Sequence, residues 1–313
     1  MMEKRPMSKL SRREFLSIST KLCAMMGLGA GAVPQMAEAL GQLAAGNPPV
    51  LWLQGLSCSG CSVSFLNSED PGPAEILTKF ISLMFHSTLS TATGDTAMKI
   101  VQETTQRGEF FLVVEGSIPA GMPEACLMGH EPVSVLVSRA ARKAQMVIAI
   151  GSCAAFGGIP AADNNPTGAI SVPAFLKNEG ITVPTIVLPG CPCHPDWFVG
   201  ALAHVLKFGG PELDDLGRPK VFFGKIVHEQ CPRFTDYERE KFARTFSQDG
   251  CLFKLGCLGP NTRADCTLRY WNSRTNTCIK AGSPCIGCAS ESFAKKADFP
   301  FFTKTVGASL PNK

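Results

Sequence analysis

The stretch Met146-Val147-Ile148-Ala149-Ile150-Gly151-Ser152-Cys153 runs five apolar residues into a glycine and sets a cysteine two positions beyond it. An unbroken apolar run of this length, closed by a turn residue, reads as a strand buried on both faces. The same pattern recurs along the first two-thirds of the chain. Val50–Leu53 is followed by Gly55, Cys58 and Cys61, and Thr185–Leu188 by Pro189-Gly190 and Cys191. Phe110–Val114 ends on Glu115-Gly116. Longer amphipathic stretches separate these runs, so the fold class is α/β, with parallel strands joined by helical crossovers. In an open sheet of this kind ligands bind beyond the carboxyl ends of the strands. Cys58, Cys61, Cys153 and Cys191 therefore converge at one sheet edge, with Glu115 beside them.

Those four cysteines are the first of three groups of four metal-type donors. The second is His228, Cys231, Cys251 and Cys257; the third is Cys266, Cys278, Cys285 and Cys288. Cys58-Ser-Gly-Cys61 taken alone would fit a redox dithiol or a zinc site as well as a cluster. The two further cysteines at equivalent strand ends favour an iron–sulfur cluster. In the second group an imidazole replaces one thiolate, which lowers the negative charge around a cluster and raises its potential. In the third group Cys266, Cys285 and Cys288 suit a three-iron cluster, and Cys278, the candidate fourth donor, permits a four-iron one. Three clusters on one chain form a path for electrons. Cys126 and Cys193 read as packing residues, Cys193 keeping a possible role beside Cys191. Of the other histidines, His86, after the apolar Ile81–Phe85 run, is the hardest to set aside. No Ser/His/Asp arrangement, phosphate loop or catalytic carboxylate pair is evident.

The 313 residues, 45% of them apolar, are ample for one or two packed domains. The texture changes after Lys207. Residues 209–313 hold few apolar runs, many turn residues and eight of the twelve donors, so metal coordination is expected to supply ordering that packing does not. Pro211–Pro219 reads as the linker and Asp163–Gly168 as a loop. At the other end, Ser11-Arg12-Arg13-Glu14-Phe15-Leu16, the uncharged Leu22–Val33 stretch and Ala37-Glu38-Ala39 form a twin-arginine export signal with a small-residue cleavage site. Residues 1–39 carry most of the formal net charge of +4, so the remainder is near neutral and has no nucleic-acid footprint. No later run is long enough to span a membrane. The expected domains are a signal over 1–39, a sheet domain over 49–205 and a loop-rich iron–sulfur domain over 209–313. The expected location is the periplasm.

With these residues the chain resembles the small subunit of periplasmic nickel–iron hydrogenases. The matching pieces are Ser11–Leu16, Cys58–Cys61, Val114-Glu-Gly-Ser-Ile-Pro119, Gly151–Ala154 with Gly157-Gly158, Pro189–Pro192 with His194-Pro195, His228–Cys231, Cys251 with Gly256–Pro260, and Pro284–Cys288. The resemblance implies a flavodoxin-like sheet domain. It also implies that Cys58, Cys61, Cys153 and Cys191 hold a proximal 4Fe-4S cluster. His228, Cys231, Cys251 and Cys257 would hold a distal 4Fe-4S cluster, and Cys266, Cys285 and Cys288 a medial one. The nickel–iron centre belongs to a separate large subunit, and electrons leave to an external acceptor such as a cytochrome c or a membrane redox subunit. Cys278 stands where most such proteins have proline. It resembles the nickel–iron–selenium branch, with a medial 4Fe-4S cluster in place of the 3Fe-4S alternative. Gly60 and Gly158 stand where oxygen-tolerant relatives carry extra cysteines, so their special proximal cluster is not expected. The alternative reading is the iron–sulfur subunit of a quinone-linked oxidoreductase complex, whose cluster domain is distantly similar to residues 49–204.

Overall fold

The computed structural model describes residues 12–25, 29–37, 47–69 and 71–294. Five parallel strands form the central sheet: β1 (Pro49–Gln54), β2 (Ser82–His86), β3 (Phe111–Glu115), β4 (Met146–Ile150) and β5 (Thr185–Leu188), in the order β2-β1-β3-β4-β5. That is the doubly wound, flavodoxin-like order. The register aligns the strand ends, with Gln54 opposite Glu115 and Glu115 opposite Ile150. All four expected runs are strands. The fifth, β2, is an edge strand whose pairing with β1 slips between Val50 and Leu51.

Period-two alternation splits the apolar residues between two faces. Leu51, Leu53, Leu112, Val114, Val147 and Ala149 point to one side. There they meet Ala97 and Val101 of α3 (Gly94–Arg107), Leu136 and Ala140 of α4 (Val133–Ala141), and Phe175 of α6 (Val172–Asn178). Val50, Trp52, Val113, Ile148 and Ile186 point to the other side, against Phe65 of α2 (Gly60–Leu66) and Phe198 and Leu202 of α7 (Pro195–Phe208). Covering both faces is what parallel strands need, and it explains why each run is apolar throughout. Between them, α5 (Gly151–Phe156) follows β4 directly.

Among the described residues the second half has short helices only, yet its apolar residues are not isolated. Phe222, Phe223, Val227, Leu252, Ala264, Ile279 and Ala289 join the core on the α7 side of the sheet. The start of α7 anchors this junction. Trp197 Nε1 donates to Asp265 Oδ1 at 2.7 Å, the His194 ring meets the Tyr270 carbonyl at 2.6 Å, and Arg269 bridges Asp265 and Asp196. The expected linker is an ordered turn: Arg218 pairs with Asp214 at 2.7 Å, and the Gly217 carbonyl accepts the Val187 N–H of β5 at 2.9 Å.

At the N-terminus, α1 (Arg12–Met25) packs on α7 and buries Ile18 and Cys23. Ser11, Glu38, Ala39 and the C-terminal Thr303–Lys313 lie outside the described residues. No described helix is long and apolar enough to cross a membrane.

Candidate functional site

None of the fourteen cysteines is in a disulfide, and the twelve candidate Cys and His donors lie in three neighbouring groups. The first lies at the carboxyl edge of the sheet. Cys58 sits in the exposed loop after β1, Cys61 in the first turn of α2, Cys153 in α5, and Cys191 just past β5. Cys58, Cys153 and Cys191 lie within electrostatic reach of one another, and Cys61 of Cys153. Burial pushes the Cys153 thiol up to about 11, with Cys191 adding to the effect, and pushes Cys61 well above its ordinary range. Buried thiols this close together ionise only when a cation compensates them.

The surrounding backbone has no room to spare. Gly151 has a φ of +84°, and a Cβ there would lie 2.4 Å from Cys61 Sγ; at Gly158, with φ +53°, it would lie 2.8 Å from the Cys153 backbone. Cys193 is buried as expected, but its backbone N–H points at Cys61 Sγ at 3.4 Å, a thiolate-directed contact that the reading of its side chain missed. Cys126 packs against the sheet's other core face.

Glu115 ties this edge together. Its Oε1 accepts from Ser57 Oγ (3.1 Å), Cys61 N (3.1 Å) and Ser62 N (3.3 Å). Its Oε2 accepts from Trp52 Nε1 (3.1 Å), Gln54 Nε2 (3.2 Å) and Ser62 Oγ. In all six bonds the two carboxyl oxygens are the acceptors, so one side chain gathers β1, the Cys58 loop and α2. His86 lies next door, with its ring 4.8 Å from that of Trp52. Its Nδ1 accepts from the Thr88 and Leu89 N–H groups, and burial depresses it to about 4.

In the second group, His228 opens a short 3-10 turn and Cys231 follows it. Cys231 is within electrostatic reach of Cys251 and Cys257, and all four donors line one small cavity. The Arg233 N–H points at Cys231 Sγ at 3.4 Å, while its guanidinium holds the Gln248 and Gly250 carbonyls at 2.8 Å, fixing the Cys251 loop. The His228 ring is packed edge-on by Phe234 and Tyr237, with centroids 5.1 and 4.5 Å away.

In the third group, Cys266, Cys278, Cys285 and Cys288 line a cavity of about 720 Å³. Cys266 is within reach of the other three. Desolvation pushes Cys288 up to about 12 and raises Cys266 and Cys285 further. Cys278 is the exposed member. This group touches both others: Cys288 is within reach of Cys191 on one side, and Cys285 and Cys278 of Cys257 on the other. The spatial order is therefore first, third, second. Among the described residues no three donors close around a single point. These sets are wider than a zinc site, whose ligands all sit about 2.0–2.3 Å from one ion.

Comparison with known proteins gives a consistent result. Residues 223–301 match the family model for the C-terminal part of the NiFe/NiFeSe hydrogenase small subunit, and residues 58–205 that for the 20 kDa subunit of NADH ubiquinone oxidoreductase. The chain is 41% identical over 304 residues to the periplasmic [NiFeSe] hydrogenase small subunit of Desulfomicrobium baculatum, covering 91% of this chain and 96% of the relative. It is 37% identical to the periplasmic [NiFe] hydrogenase small subunit of Solidesulfovibrio fructosivorans, covering 91% and 90%. The crystal structure of the reduced, active Ni-Fe-Se hydrogenase from Desulfomicrobium baculatum superposes with a TM-score of 0.76 at 43% identity, covering 82% of this chain and 96% of that one.

Proposed function

Because this chain belongs to the hydrogenase small-subunit family, we propose that its twelve donors hold three iron–sulfur clusters in series. The chain is the electron-transfer subunit of a heterodimeric hydrogenase, partnered by a large subunit. In this reading Cys58, Cys61, Cys153 and Cys191 hold a proximal 4Fe-4S cluster, Cys266, Cys278, Cys285 and Cys288 a medial 4Fe-4S cluster, and His228, Cys231, Cys251 and Cys257 a distal 4Fe-4S cluster. The observation that carries it is the spatial order of the three groups, with the third bridging the other two. When bound, such clusters accept and release single electrons.

The rest is the work of this chain. The glycines at 151 and 158 let the backbone close on the thiolates. The N–H groups of Cys193 and Arg233 point at sulfur and disperse its charge. Glu115 holds the Cys58–Ser62 turn against β1 and places a negative charge beside the proximal site. His228, among aromatic rings, carries the distal end towards an external acceptor such as a cytochrome c or a membrane redox subunit.

The likeness of residues 58–205 to a subunit of NADH ubiquinone oxidoreductase accounts for the quinone-linked alternative. That alternative leaves the eight donors after Lys207 without a purpose. Iron and acid-labile sulfide in the purified heterodimer test the assignment. Roughly twelve iron atoms are expected in this chain; zinc without sulfide would overturn it.

The twin-arginine leader sends the folded, loaded protein to the periplasm, the location named for its relatives. Arg12→Lys with Arg13→Lys is expected to retain hydrogenase activity in the cytoplasm. Undiminished periplasmic activity would refute the export route.

A further inference from the structure

Each junction between neighbouring donor groups is crossed by a hydrogen bond to the carbonyl of a third-group cysteine. On the second-group side, the N–H of Leu258, adjacent to Cys257, donates to the Cys285 carbonyl at 2.8 Å. That bridge is backbone only. On the first-group side the bridge is a side chain. Ser152 Oγ donates to the Cys288 carbonyl and accepts from the Gly190 N–H at 2.8 Å, while its own N–H donates to the Gly190 carbonyl at 2.9 Å. Ser152 precedes Cys153 and Gly190 precedes Cys191, so this one hydroxyl joins three donor loops: two of the first group and one of the third. It is buried, 2% exposed, and its one proton and a lone pair are both committed.

We propose that Ser152 is the positioning residue that sets the proximal-to-medial junction, and that its hydroxyl is a link in the electron's path between them. This rests on the cluster assignment above. Clusters held by the first and third groups would pass single electrons, supplied by hydrogen oxidation in the partner, across this junction. Ser152 would make or break no bond and move no proton; its part is to donate to the Cys288 carbonyl. The residue acts by holding the Cys288 loop against the Cys153 and Cys191 loops, and by supplying a connected route in place of a gap. Without the hydroxyl, the buried Gly190 N–H and Cys288 carbonyl lose this partner, and the Cys288 loop keeps only the backbone contact of Cys191 with the Cys288 thiol and the more distant contacts around Trp197 to hold it there.

The experiment uses the intact heterodimer and three variants: Ser152→Ala, Ser152→Thr and Ser152→Cys. Iron and sulfide content of the unmodified protein tests the cluster assignment on its own, before any variant is read. In Ser152→Ala with full iron content, the paramagnetic interaction between the reduced proximal and medial sites is expected to weaken. Hydrogen-dependent dye reduction should fall severalfold, while hydrogen–deuterium exchange, which takes place in the partner, persists. Ser152→Thr keeps the hydroxyl and should restore both the interaction and dye reduction. Ser152→Cys, close in shape but a weak donor, should resemble alanine, and it decides the question should the alanine variant fail to assemble. An unaltered interaction and unaltered dye reduction in whichever of Ser152→Ala and Ser152→Cys assembles would overturn the proposal. So would a Ser152→Thr variant that loads its iron but fails to restore them.

Discussion

At the residue scale the sharpest question is Cys278. Three thiolates, from Cys266, Cys285 and Cys288, can hold a three-iron cluster, and a fourth lets the cubane close and lowers its potential. Cys278 lines the same cavity and lies within reach of Cys266 and Cys288. Electron paramagnetic resonance of the oxidised heterodimer is expected to show no stoichiometric three-iron signal, and Cys278→Pro is expected to produce one. A full signal in the unmodified protein would remove Cys278 from the donor set. His86 supports a different prediction. Burial lowers it from 6.5 to about 4, opposed in part by the carboxylate of Glu115. A base whose folded value is depressed favours the fold while neutral. That contribution is complete above pH 6.5 and drains away as the pH falls towards 4. The thermal midpoint of the heterodimer should therefore fall across this window more steeply than that of His86→Gln; parallel slopes would refute the assignment. Spacing and residue type single out the twelve candidate donors, and the structure gathers them into three groups. The six donors to Glu115 were not legible in the sequence, because they come from β1, the Cys58 loop and α2, and only the folded edge brings them to one point.

At the element scale, the strands announced themselves, and the turns after them carry the candidate donors. Four apolar runs read directly as β1, β3, β4 and β5, because strands covered on both faces cannot afford polar positions. The edge strand β2 escaped notice. The Ile81–Phe85 run reads from sequence only as the approach to His86; it is interrupted by Ser82 and, as an edge strand, only partly buried over residues 82–84, so it lacks the unbroken apolar character of the central strands. The second half reads from sequence as a region held mainly by its donors. Its apolar residues are too scattered to form a pattern, yet Phe222 and Phe223 join the α7 side of the sheet core. The turn element that decides assembly is α5 with the glycines around it. At Gly158 the positive φ and the approach to the Cys153 backbone exclude any Cβ without displacement. Gly158→Ala should leave far-ultraviolet circular dichroism nearly unchanged but reduce iron by about four atoms per chain, the content of one cluster. Full iron content in that variant would mean that the loop relaxes without disturbing the proximal donors.

At the scale of the whole molecule, an electron entering at the proximal site must come from the partner, so the carboxyl edge of the sheet should be the docking face. Its surface fits that role. Val63 on α2 is 55% exposed, Leu66 is 41% exposed, and Ile159, next to Gly158, is 51% exposed, each following Cys61 or Cys153 closely along the chain. Large apolar side chains grouped on one exposed edge are what a partner's surface would cover. Burying each on association contributes about 1.5–3 kcal/mol at full burial, and a charge in their place must be desolvated without a partner. Val63→Arg combined with Ile159→Arg should abolish co-purification with the large subunit, while the separated small subunit keeps its iron and sulfide. Retained iron would show that the chain still folds and loads, so loss of pairing would be a surface effect. The isolated chain should then reduce no dye with hydrogen, because the path would have lost its source of electrons. Normal yield of an active heterodimer from the double variant would move the docking face elsewhere.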